Sequence, residues 1–482
     1  LLFPSPGFGQ AAGNVSLDSN QTLFTVLAAL NAAGYDTGTG AASGKTVRAQ
    51  VRASLAEKNP AVLAELRKFY EEHRIESDSG ADLGQFISLA LLLGPPPDFK
   101  PTVQTSDLPP DARKLTALVP LLQKFYVQAD LASVWKSVEP GYQEEIARYS
   151  DLVRRSIALT DAYLRFASGA YLGRTYSIDL DLLASPEQVQ ARVFGANYYL
   201  VVTPAKDPKV AEIRHQYLHF LLDPLAAKYA PQIDEKAQLI TLARGAPALG
   251  QDFKEDFPLL VTECLIRAVE LRMDKPAKDV AEKSVHDLTS SGLILVPYFY
   301  EMLAAYEQQE GSMNVYFPEM LKSLDVEKEQ KRLAGINFAA KPQPAEDAPQ
   351  AAKSELDLQL DAGDTAIFKG DYAAAKAAYQ DVLERLDAKN ERALFGMAVV
   401  SSNTRKPDTA ERYFHLVLES ANDLRLVTWS HIYLGRIEDL KGNRKAALDQ
   451  YRAASLTSGR YPDAQRAVQK GLTDPYGVMK ER

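Results

Sequence analysis

The sequence predicts a mainly α-helical fold carrying one small antiparallel sheet near its middle, followed by an all-α array of helical repeats. Three observations predict it. Apolar residues recur at three- and four-residue spacing through most of the chain, as in LFTVLAALNAAGY and AVLAELRKFYEEH, which lines them up on one helix face. The period changes to two in RTYSIDLDLL and in VQARVFGANYYLVVTP, where alternate residues point to opposite faces of a sheet. Beyond residue 355 a pattern of about 36 residues returns, and self-similarity at that period marks stacked helix pairs.

Size and composition set the limits. A chain of 482 residues with 46% apolar composition is long enough for roughly three ordinary globular domains. The formal charge of −8, from 63 acidic and 55 basic residues, and the lack of any basic stripe argue against a nucleic-acid partner. Cys264 is the single cysteine, so no internal disulfide and no thiolate metal cluster can form. The longest apolar runs, FISLALLLG and LILVPYFY, fall short of the ~18 residues a membrane helix needs, and no integral membrane segment is expected. Residues 1–16 begin LLFPSPGFGQAAGN, apolar and rich in proline and glycine before small residues. They read as the remnant of a secretory signal or as a disordered terminus, and predict an exported protein, periplasmic or extracellular, of bacterial type.

Residues 17–170 form a helical region broken by GTGAASGK, SDSGADLG and GPPPDFKP. The first of these lacks both the spacing of a phosphate-binding loop and a preceding strand, and reads as a surface loop. In RTYSIDLDLL, Tyr176, Ile178, Leu180 and Leu182 face one way while Ser177, Asp179 and Asp181 face the other. A hairpin hinged at Gly195-Ala196-Asn197 follows and ends at Pro204. Next comes DPKVAEIRHQYLHFLLD, a helix with Asp207 as N-cap and Pro208 at its first position. Pro224 is expected to stop it near Leu222, leaving Asp223 to cap the next helix. FPLLVTECLIRAVELRM is apolar on most sides, so it is a buried helix, and it carries Glu263, Arg267 and Glu270. SGLILVPYFYEMLAAYEQQ, with Tyr298, Tyr300 and Tyr306, closes the core of a domain over residues 171–340.

Residues 341–354, KPQPAEDAPQAAKS, have linker composition. In the array over residues 355–482, Gly363, Gly370, Tyr372, Ala375 and Tyr379 match Gly435, Gly442, Arg444, Ala447 and Tyr451 at a separation of 72 residues. Three repeats are read, near 355–390, 391–425 and 428–460, with a capping helix around Ala464 to Leu472. The second copy is the weakest, with Pro407 at an aromatic position. The small and aromatic positions resemble those of tetratricopeptide repeats, and the resemblance implies a module that receives a protein or peptide.

His215 and His219 stand one helical turn apart, where both imidazoles can reach one metal ion. HQYLH, preceded by a sheet and followed by TECLIRA, resembles the H-E-x-x-H motif and downstream glutamate of the gluzincin metallopeptidases. The resemblance implies zinc held by His215, His219 and Glu263, puts Gln216 at the general-base position, and gives the strand NYYLVV the pairing with an extended substrate. A second explanation stands for Glu263, an i,i+4 pair with Arg267. A glutamine can hydrogen-bond a water but cannot take its proton, and a positioned base is worth ~10² to ~10⁴ in rate. Peptidase activity is therefore expected to be very low or absent while zinc binding survives. Around this set, Glu212 is either a substitute base or a first-turn acid, and Asp223 an N-cap or a partner of His219. Tyr298, Tyr300 and His286 are candidate oxyanion donors, or core and surface groups. Three functions stay open: an impaired metallopeptidase homologue with an interaction module, a weakly active zinc peptidase, and a metal-free scaffold.

Overall fold

The computed structural model describes residues 15–35, 46–75, 79–166, 173–203, 205–340, 355–421, 423–458 and 461–477. The leader-like residues 1–14, the glycine-rich loop at 38–44 and the linker 341–354 lie outside the described residues. The fold is mainly helical with one small sheet, as the sequence predicts. Among the described residues no helix is long and apolar enough to cross a membrane. Two compact units divide the chain, residues 1–105 with 112–340, and residues 106–111 with 341–482.

The helical region 17–170 and the domain 171–340, distinct in the sequence, belong to one unit. Strand pairing and helix packing are among the contacts that join them. Strand β1 (Val15–Asp18) pairs in parallel with β2 (Thr175–Leu180), and the 34-residue helix Leu131–Leu164 packs on the helix that carries the histidines. Its Tyr149, Val153 and Ile157 enter the same core as Ile178, Leu200 and Leu218. Val15 and Ser16 are thus strand residues, although the composition there reads as a leader. The break expected at SDSGADLG lies between the helices Leu63–His73 and Ser79–Leu91, the second of which starts inside that stretch.

The sheet is mixed, not antiparallel. Its order is β1-β2-β4-β3, where β3 (Val189–Phe194) and β4 (Asn197–Val202) form the expected antiparallel hairpin and β4 runs parallel to β2. Gly195 turns the hairpin at φ 58°, a left-handed value that favours glycine. The side chains explain which strand lies inside. β4, NYYLVV, is apolar on both faces and suits a central position, whereas β3 carries Gln190 and Arg192 and suits an edge. NYYLVV therefore cannot pair with a substrate, since β2 and β3 occupy both of its sides.

One face of the sheet sets the histidine helix. Tyr176 stacks on Tyr198 with ring centroids 5.3 Å apart, meets Tyr217 edge-on at 5.2 Å, and donates its hydroxyl to the Ile213 carbonyl at 3.0 Å. Aromatic pairs in such geometries add ~0.5–1.5 kcal/mol beyond their buried area.

The second unit contains three helix hairpins: Glu355–Phe368 with Tyr372–Asp381, Glu391–Asn403 with Pro407–Ser420, and Leu424–Leu440 with Arg444–Thr457. The helix Pro462–Thr473 follows them. Tyr379 lies against Gly363 and Gly396, and Tyr451 against Gly435 and Gly471, so closely that a Cβ on any of these glycines would overlap the ring. In the middle hairpin Ala398, Ala410 and Phe414, all buried, stand 35 residues after Gly363, Ala375 and Tyr379. Arg405 there takes the left-handed conformation that Gly370 and Gly442 take in the outer two.

Candidate metal centre

The histidine helix spans Val210–Lys228, starting later and ending later than the sequence suggests. Asp207 and Pro208 precede it, and its N-cap is Lys209, whose ammonium pairs with Glu187 at 2.7 Å and Glu212 at 3.4 Å. At the other end the helix runs through Pro224 instead of stopping at Leu222. Proline removes the N–H that would bond the carbonyl four residues earlier, that of Phe220. Arg174 replaces it: Nη1 donates to the Phe220 carbonyl at 2.6 Å, with the guanidinium 4.4 Å from the Phe220 ring centroid. Asp223 consequently sits within the helix, buried, one turn after His219.

The glutamate helix spans Phe257–Asp274. Asp256 caps it by accepting from the Leu259 N–H at 2.9 Å, with Pro258 in the first turn. Glu263, Arg267 and Glu270 follow at intervals of four and three, which places them on one face, toward the histidines.

Glu263 Oε2 lies 3.2 Å from His219 Nε2 and 3.6 Å from His215 Nε2. Neighbouring ligand atoms of a tetrahedral ion with ~2.05 Å bonds stand roughly 3.3 Å apart, so these separations are those of ligands sharing one ion. His215, His219 and Glu263 form a possible metal-binding triad, their donor atoms all within 4.8 Å of one another. Each imidazole also has an acid behind it. His215 Nδ1 lies 3.2 Å from Glu270 Oε1, and His219 Nδ1 lies 3.0 Å from Asp223 Oδ1. Proton donation from Nδ1 to a carboxylate leaves the Nε2 lone pair for a metal and makes it more basic. The i,i+4 pair of Glu263 with Arg267 is present and leaves the other oxygen free to face the histidines: Oε1 accepts from Arg267 Nε at 2.7 Å, while Oε2 faces His215 and His219. Arg267 Nη1 continues to Glu270 Oε2 at 3.1 Å, closing a ring of charges.

Burial raises the Glu263 pKa, but hydrogen bonding to His219 and the charges of His215, His219 and Arg267 outweigh it and bring it to about 2. Burial lowers the pKa of His219, and Asp223 and Glu263 reverse that to about 9. A carboxylate that stays ionised is what a cation site requires. A metal would displace the proton that His219 Nε2 shares with Glu263.

A cleft of about 880 Å³ reaches this cluster at His215 and is lined also by Gln216, Arg267 and Glu270, with Glu212 and Val189 of β3 at its walls, while His219 and Glu263 lie outside its lining. Tyr198 of β4 donates to Gln216 Oε1 at 2.7 Å, which fixes the amide. Glu212, about half exposed, is held by Lys209. Tyr298 is no oxyanion donor: its hydroxyl donates to the Met320 carbonyl in the core, and burial pushes its pKa up. Tyr300 lies under Arg272, His286 sits beside Ser290, and neither lines the cleft. Glu270 is the residue whose contact with His215 the sequence reading did not assign. Its signal was present, since Glu270 is two turns after Glu263 on the same face.

Comparisons with protein-family models, with curated proteins and with solved structures gave no match.

Proposed function

We propose that the first unit is a zinc-binding, peptidase-like domain whose catalysis is impaired at Gln216, and that the second is a tetratricopeptide-like module that binds protein or peptide. One observation carries the zinc assignment. One carboxylate oxygen stands 3.2 and 3.6 Å from two imidazole nitrogens, separations that suit ligands of one tetrahedral ion, and both imidazoles are backed by acids. Two histidines with one carboxylate are a donor set that zinc favours, leaving a fourth position for water. Zinc held there would supply an acidified water and polarise a carbonyl. The protein's own shortfall is at Gln216, whose carboxamide accepts a hydrogen bond from Tyr198 and cannot take a proton. A missing general base costs ~10²- to ~10⁴-fold in rate, so the cleft binds a peptide far better than it cuts one. The glycine–tyrosine packing of the helix hairpins supports the second module, and the composition of residues 1–14 supports export.

Metal analysis of untagged protein tests the first half. One zinc per chain is expected, lost in His215→Ala, and zinc that is absent or unaffected by that change removes the assignment. On unfolded casein, Gln216→Glu is expected to cleave at least ~10²-fold faster than wild type. Equal rates would mean that Gln216 does not stand where the base belongs.

A further inference from the structure

A second cavity in the first unit, about 390 Å³, shares no lining residue with the cleft at His215. Its walls are the helices Val47–Lys58 and Leu63–His73 and the end of the helix Gln21–Ala33. Arg48, Val51, Arg52 and Leu55 recur at three- and one-residue intervals that fall on one face of the first helix. Leu63 and Arg67 repeat the pairing of an aliphatic side chain with a guanidinium one turn apart on the second. No carboxylate is among the lining residues, in a chain whose formal charge is −8.

The three guanidiniums differ in what they already do. Arg48 is buried, donates Nη2 to the Ala184 carbonyl, and offsets part of the rise that burial gives the pKa of Asp181, so it holds the cavity wall. Arg52 and Arg67 are exposed, and among the described residues Arg67 makes no ion pair. On the third wall Asn31 donates Nδ2 to the Leu183 carbonyl at 2.9 Å, while its buried Oδ1 has no hydrogen-bond partner. A buried acceptor left unsatisfied costs ~1–3 kcal/mol, which the hydroxyl of a monoprotonated phosphate group would recover and a carboxylate would not.

We propose that this cavity binds a small amphipathic anion, a carboxylate or phosphate group on a short aliphatic chain. Arg52 and Arg67 take the anionic head, for which the planar guanidinium fork is shaped, and Val51, Leu55 and Leu63 take the aliphatic part. The volume lies within the ~300–1,000 Å³ of small-molecule sites. The site does not depend on the metal reading.

Titration calorimetry on the full chain tests it, with sodium octanoate and octyl phosphate as probes and 1-octanol, octylammonium and inorganic phosphate as controls. One of the two anions is expected to bind saturably at one per chain, and which one does identifies the head group. Arg52→Gln and Arg67→Gln should each weaken binding about ten-fold, and Leu55→Ala should weaken it as well. Both arginines are exposed, so unchanged thermal melts are expected to accompany the weaker binding. Absence of saturable binding, or binding unchanged in the doubly substituted protein, overturns the proposal. Octanol binding as tightly as octanoate would leave only an apolar cavity, and inorganic phosphate matching octyl phosphate would remove the aliphatic part.

Discussion

The two units bury their bulky functional groups against opposite kinds of neighbour. In the second unit the rings of Tyr379 and Tyr451 are each clasped by two glycines, a fit of large against small, and only their hydroxyls reach acids, Asp364 and Asp439. In the first, His215 and His219 meet Glu263, Glu270 and Asp223, a fit of donor against acceptor and charge against charge. Shape complementarity holds whatever the pH. Charge complementarity depends on protonation and on whatever cation is present, so the histidine–acid cluster is where binding should respond to both.

The largest expected effect tests the packing side of that contrast. Tyr451→Ala empties a ring site between Gly435 and Gly471 and should cost about 3–5 kcal/mol of second-unit stability. Denaturant unfolding reads this through Trp429, because the only other tryptophan, Trp135, lies in the first unit and can be replaced by phenylalanine. A loss below ~1 kcal/mol would mean that the ring does not fill the gap the glycines leave.

A buried acid in the sheet sharpens the charge side. Asp179, buried in the sheet, has its pKa raised to about 7, first by burial and then by Asp18 on the neighbouring strand. The unfolded chain loses this proton near pH 4 and the folded chain near pH 7, so between those values the native state holds more protons. Stability from this group is therefore greatest in acid and falls as pH rises from about 4 to about 7. Asp179→Asn should flatten that fall and leave the first unit on the order of 2–4 kcal/mol more stable at pH 8. A Trp135-monitored unfolding series across pH in which the variant still loses stability at the wild-type rate would rule Asp179 out as the cause.

The smallest effect separates the acids around the metal centre. Glu270→Gln and Asp223→Asn should each weaken zinc binding about 10- to 100-fold, because each backs an imidazole. Glu212→Gln should leave zinc affinity unchanged, since that side chain pairs with Lys209. Competition against a chelating dye measures all three, and equal affinities across the set would show that the acids behind the imidazoles do not tune the site.

Several features of the site were legible in the residue order. The four-residue interval of His215 and His219 put both rings on one face, and the apolar surroundings of Glu263 demanded a partner for its charge. Local rules failed where a distant group intervened. Pro224 marks a helix end by its missing N–H, yet Arg174, 50 residues earlier, satisfies the orphaned carbonyl and lets the helix continue. That continuation turns Asp223 from a cap into the neighbour of His219. Tyr298 read as an oxyanion donor or a core group, and its hydroxyl, committed to the Met320 carbonyl, makes it a core group.

The sequence by itself determined periodicity, hence helix against strand, the hairpin at Gly195, and the glycine–tyrosine register of the helix pairs, because those depend on neighbours within a few turns. Only the tertiary structure decided the parallel pairing of β1, β2 and β4, the interior place of NYYLVV, and the meeting of Glu263 and Glu270 with two histidines more than 40 residues away. Strand order depends on which strand can be buried on both faces. A ring of charges depends on helices brought together by the core beneath them, and neither condition is written in any short stretch of chain.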